Sequence, residues 1–121
     1  MPQIMILEDE PLIAVMMRDW LREMGCEIVG PADTVRGALA LLEDHMIDAA
    51  ILDVSLKGEN CLPVADALGQ RGIPVAFATG DAAGLAKRHR DMPTLAKPFD
   101  FPALRDVVTR LLNSRQTVDQ R

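Results

Sequence analysis

The chain has 121 residues, 49% hydrophobic and 26% charged, with a formal net charge of -5. A chain of this length suits one compact domain that buries roughly two-thirds of the surface its unfolded form exposes. The composition excludes a disordered or coiled-coil class, and the acidic balance argues against direct nucleic-acid binding. No apolar run approaches the roughly 18 residues of a membrane span, and Met1 leads into a short strand without a basic, then apolar, leader. A cytoplasmic protein that does not contact the membrane is therefore expected. Cys26 and Cys61 lack Cys-x-x-Cys spacing and read as small core residues rather than as a disulfide or zinc framework.

In chain order, the first strand, Ile4 to Leu7, runs without a spacer into Glu8, Asp9 and Glu10. Pro11 suits the opening turn of a helix whose apolar face is Ile13, Met16, Met17, Trp20, Leu21 and Met24, with Gly25 as its stop. Cys26 to Val29 reads as a second strand, and the Gly30-Pro31 pair after it fits an edge strand outside any site. Asp33 or Thr34 can cap a helix bearing Val35, Ala38, Leu39 and Leu42. A third strand, Ala49 to Leu52, meets Asp53, and a weaker helix follows from about Leu62 to Leu68. Val75 to Ala78, apolar throughout like the third strand, leads into Thr79 and Gly80. The fourth helix, about Ala82 to His89, contains Gly84 and little apolar surface, so it is expected to be short or mobile. Thr94 to Ala96 leads into Lys97, and Asp100 caps a last helix carrying Leu104, Val107, Val108, Leu111 and Leu112. One domain is expected over residues 1–113, with a polar, disordered tail at 114–121.

Strands alternating with helices signal βαβ units, hence a doubly wound α/β fold on a parallel sheet. In such a sheet the carboxyl ends of the strands share one edge, where ligands bind. Four of the five strands end there in a chemically useful group: Glu8 and Asp9, Asp53, Thr79, and Lys97. Three carboxylates in one pocket need a compensating cation, and Mg2+ fits, because it binds one or two carboxylates and leaves positions for phosphate oxygens. Asp53 is then a candidate nucleophile, with Lys97 and the Thr79 hydroxyl as donors to the phosphoryl oxygens. Each residue also has an ordinary reading as a turn former, cap or solvated charge; their joint placement favours a site.

With Glu8-Asp9, Asp53, Thr79 and Lys97-Pro98-Phe99 in this order, the chain resembles a response regulator receiver domain of bacterial two-component signalling, from Gln3 to about Leu112. The resemblance implies a five-stranded parallel sheet of order 2-1-3-4-5, an arrangement for which a receiver is itself a standard example. It further implies a phosphoprotein that takes a phosphoryl group from a sensor histidine kinase or histidine phosphotransferase onto Asp53. Glu8, Asp9, Asp53 and the backbone carbonyl of Ser55 would hold Mg2+, and the Lys97-Pro98 bond would be cis. Such a domain labels itself and is not a turnover enzyme; its downstream protein target is unknown.

The stretch "PVAFATGD" is similar to receivers, often single-domain, with Phe-Ala-Thr-Gly at this place. The aromatic residue that many receivers turn inward on phosphorylation is replaced by Thr94. Ordering of the segment 80–89 is the expected substitute, and Asp81, with Ser55, is a candidate modulator of phosphoryl lifetime; Asp81 as a helix cap is the alternative. An unphosphorylated pseudo-receiver is a rival reading. A haloacid dehalogenase-type phosphatase is a weaker one, since in those enzymes the nucleophile ends the first strand.

Overall fold

The computed structural model describes residues 1–80 and 92–119, with side chains through Ser114. Alternation along the strands builds the two sides of the molecule. Strand β1 (Gln3–Leu7) sends Ile4 and Ile6 to one face and Met5 and Leu7 to the other. Strand β3 (Ala49–Asp53) divides Ala49 and Ile51 from Ala50 and Leu52 in the same way, and β4 (Val75–Thr79) divides Ala76 and Ala78 from Val75 and Phe77. With β2 (Glu27–Ala32) and β5 (Thr94–Ala96), they form one parallel five-stranded sheet of order β2-β1-β3-β4-β5. This is the expected flavodoxin-like, doubly wound arrangement.

Helices cover both faces, as strands apolar on both sides require. Helices α2 (Val35–Asp44) and α3 (Leu62–Gln70) pack Ala38, Leu42, Val64, Ala65 and Leu68 against the Met5 and Leu7 side. Helices α1 (Pro11–Glu23) and α4 (Phe101–Asp119) pack Met17, Leu21, Leu104, Val107, Val108 and Leu111 against the Ile4 and Ile6 side. The Thr34 hydroxyl accepts the Gly37 N–H at 3.0 Å and Asp100 accepts the Ala103 N–H at 2.9 Å, so both expected caps are present. The backbone of α4 reaches Asp119, inside the stretch 114–121 that the sequence sets apart as a polar tail. The fourth helix expected near Ala82 to His89 lies outside the described residues.

Two local features differ from the sequence reading. Helix α3 continues past Leu68 through Gly69 to Gln70, and the left-handed turn falls later, at Gly72 with φ +70°. More consequentially, β2 does not stop at Val29. Met5 faces Val29 and Leu7 faces Ala32, so two steps on β1 match three on β2, a bulge at Gly30-Pro31. Gly30 is required there: φ is +104°, and a Cβ would lie 2.7 Å from the Ala32 nitrogen and 3.0 Å from the Ile6 carbonyl oxygen. Pro31 is tolerated because an edge strand has one side free of ladder bonds. The Gly30-Pro31 bond is cis, as is Lys97-Pro98, whereas the sequence pointed to Lys97-Pro98 alone. Any X-Pro bond has a reduced trans preference, so sequence does not separate the two.

Candidate functional site

Parallel strands deliver their ends to one edge, and the polar residues collect there. Glu8, Asp53 and Thr79 are the buried polar side chains among the described residues, at 2%, 3% and 4% exposure. Asp53 is the last residue of β3 and Thr79 the last of β4, and the Lys97 N–H, just beyond β5, donates to the Thr79 carbonyl at 2.8 Å. The Lys97 ammonium reaches back across the edge, 2.7 Å from Glu8 Oε1 and 3.3 Å from Asp53 Oδ1. Oδ1 of Asp53 also accepts the Ser55 N–H at 3.0 Å, and Glu8 Oε2 accepts the Glu10 N–H at 3.1 Å. Asp9 is half-buried and accepts the Lys57 N–H at 2.9 Å. One carboxylate oxygen from each of Glu8, Asp9 and Asp53 lies within 4.8 Å of the others.

The electrostatics follow from this crowding. Burial raises the Glu8 carboxyl above its ordinary value against the opposing pull of the Lys97 hydrogen bond, and the neighbouring Asp53 adds to the rise. For Lys97, burial favours the neutral amine, but the hydrogen bond and charge of Glu8, with Asp53, hold its value above the ordinary one. Lys97 therefore stays an ammonium at neutral pH. It stands as one ammonium against the carboxyl groups of Glu8, Asp9 and Asp53.

The cleft itself is open and about 290 Å3 in volume, lined by Asp9, Glu10, Asp53, Ser55, Lys57, Gly80 and Lys97. Glu8 and Thr79, both buried, are not among the lining residues. Thr94 is separate, with its hydroxyl on the Met92 carbonyl at 3.5 Å at the start of β5, and Pro98 is exposed beside Lys97. Asp81 lies outside the described residues. Two participants escape the sequence pattern. Lys57 contributes its backbone N–H, which residue type does not signal, and Glu59 in the same loop accepts the Val35 N–H at 3.3 Å from 24 positions away.

A sequence model of the response regulator receiver domain matches residues 4–109. The chain belongs to this family. SdrG from Sphingomonas melonis, in a solution structure, is 49% identical over 96% of this chain and 97% of its own, with a TM-score of 0.77. The response regulator PhyR from Brucella abortus is 30% identical over 97% of this chain and 50% of its own, with a TM-score of 0.88. PdtaR, a transcriptional regulatory protein of Mycobacterium tuberculosis, is 34% identical over 89% of this chain and 57% of its own length. The receiver thus spans about half the length of the curated relatives it matches. No helix among its described residues is long and apolar enough to cross a membrane.

The donor set of this receiver fits a hard divalent cation. Three carboxylates converge within 4.8 Å and all donors are oxygen, which suits Mg2+ better than a thiolate- or imidazole-preferring metal. Receiver domains are signalling modules.

Proposed function

We propose that this receiver is a phosphoacceptor, taking a phosphoryl group onto Asp53 from a phosphohistidine on a sensor histidine kinase or histidine phosphotransferase, and passing the change to a protein partner. The observation that carries this reading is Asp53, 3% exposed yet lining an open cleft, with Lys97 3.3 Å from its carboxylate. A structural carboxylate has no need of both burial and an entrance. In support, SdrG has been solved in a BeF3-activated conformation, and that chain is 50% identical to this one.

Oδ1 of Asp53 is engaged by Ser55 N–H and Lys97, so Oδ2 is assigned as the attacking atom. It forms an O–P bond while the P–N bond to the donor imidazole breaks, and that electron pair returns to the ring nitrogen. Lys97 exchanges Glu8 for a phosphoryl oxygen, and the Thr79 hydroxyl donates to another. Bound by Glu8, Asp9, Asp53 and the Ser55 carbonyl, Mg2+ would supply positive charge against the phosphoryl oxygens. The phosphoryl group of the product carries about -1.5 to -2 charge in place of the single charge of the carboxylate, together with new acceptor oxygens, which alters the surface around the ends of β4 and β5 where a partner would read it.

Incubation with acetyl phosphate and Mg2+, followed by intact mass, tests the reading. Wild type gains one phosphoryl group per chain and Asp53→Asn gains none. Continuous release of phosphate from a generic ester at many turnovers per chain would instead mark a phosphatase. The competing pseudo-receiver, favoured by Thr94 in place of an aromatic, predicts no gain in either protein.

A further inference from the structure

The edge strand, which the sequence places outside the site, and the helix that follows it are tied to the site at one point each. The bulge at Gly30-Pro31 brings the Ala32 carbonyl to the Glu8 N–H at 2.9 Å, fixing the start of the acidic loop. Three residues on, the first amide of α2, Val35 N–H, donates to Glu59 Oε2 at 3.3 Å. Glu59 belongs to the loop between β3 and α3 and closes it with a backbone bond to the Leu56 carbonyl at 3.4 Å. In that loop Ser55 N–H is on Asp53 at 3.0 Å and Lys57 N–H is on Asp9 at 2.9 Å. Leu56 and Cys61, at 6% and 1% exposure, anchor it on the core.

The acceptor loop is thus held at Asp53, at Asp9, at the core and at α2. The last attachment is the informative one. It is made by an exposed side chain that does not line the cleft, so altering it changes the support of the loop without touching a proposed ligand. Metal ligands depend on the groups behind them for orientation, and loss of such a partner commonly weakens binding about 10–100-fold.

We propose that Glu59 is a positioning residue for the acceptor cleft: by accepting the first amide of α2, it holds residues 55–57 against Asp9 and Asp53 and sets the affinity for Mg2+. This rests on the functional reading above. The hydrogen bond, and not the negative charge, is the active feature, so a glutamine that accepts the same N–H should serve.

The experiment titrates Mg2+, without any phosphodonor, into wild type, Glu59→Ala and Glu59→Gln, following the Val35 and Lys57 amide resonances. The expected result is a dissociation constant about three- to tenfold higher for Glu59→Ala, below the range for a group directly on a ligand, with Glu59→Gln close to wild type. Wild-type affinity in Glu59→Ala would overturn the proposal while leaving the phosphoacceptor reading intact. Equal weakening in both variants would overturn it too, because charge alone would then be responsible. Absence of Mg2+ binding by wild type itself would overturn the functional reading together with this one.

Discussion

Strand β3 holds two kinds of burial within five residues. Ala49 to Leu52 are at 0–1% exposure among apolar neighbours, and Asp53, the next residue, is at 3% with a charge. The core half is stabilised by removing hydrocarbon from water, and any atom lost there leaves a void. The rim half is tolerated because Lys97 and the Ser55 N–H replace the lost hydration. The same strand therefore carries stability at one end and chemistry at the other, and the two ends should respond differently to mutation, metal and pH.

The largest effect belongs to the core. Phe77 on β4 is 1% exposed and the largest of the fully buried side chains. Phe77→Ala should lower the free energy of unfolding by about 3–5 kcal/mol, measured by urea denaturation, with no recovery on adding Mg2+. Next comes the rim. Lys97→Met leaves Glu8 and Asp53 buried without their cation and should cost about 3 kcal/mol in EDTA, after allowance for the partial exposure of Lys97. Here Mg2+ should restore part of the loss, and so should acid. The Glu8 carboxyl is raised above 4.5, so the native state binds its proton more tightly than the unfolded chain does. That contribution is present at low pH and lost as pH rises through the native value, so the deficit of the variant should shrink toward pH 5.

The smallest effect is a pH response from the core side of the acceptor loop. Burial pushes the Cys61 thiol from 9.0 up to about 11. The unfolded chain ionises this thiol first, so the stability it contributes is complete below pH 9.0 and is lost as pH rises through about 11. The full difference is worth about 2 to 3 kcal/mol. Unfolding free energies between pH 8 and 11 should show this loss in wild type, and Cys61→Ala, destabilised at every pH, should lack that component of the slope.

The succession of strands and helices and the composition of the rim were legible because both are written locally, whereas the order of the strands within the sheet came from the resemblance to a receiver domain. A strand that ends in an acid pair, an Asp, a Thr or a Lys announces its own terminus, and alternation of strands with helices sets the parallel sheet that gathers those ends. Thr34, Asp100 and Pro11 are likewise read from a few neighbouring positions. The end of the edge strand was misread for the opposite reason. Gly30-Pro31 is a stop in local terms, and its use as a bulge depends on the Ile6 carbonyl of a neighbouring strand leaving no room for a Cβ. Glu59 was missed because its partner, Val35, is 24 residues away and contributes a backbone N–H, which no residue type advertises. The Trp20 ring, read as a core residue, sits half-buried in edge-on contact with Phe99 at 6.3 Å and Phe101 at 5.9 Å, a pairing set by the turn after Lys97.

The central claim is that Asp53, among the three acids gathered at the sheet edge, is the one that accepts phosphate. Borohydride reduction after acetyl phosphate treatment converts an aspartyl phosphate to homoserine, and peptide mass mapping then locates it. The account predicts homoserine at position 53 in wild type with Mg2+ and at no position in EDTA. Homoserine at position 9, or none with Mg2+ present, would contradict it.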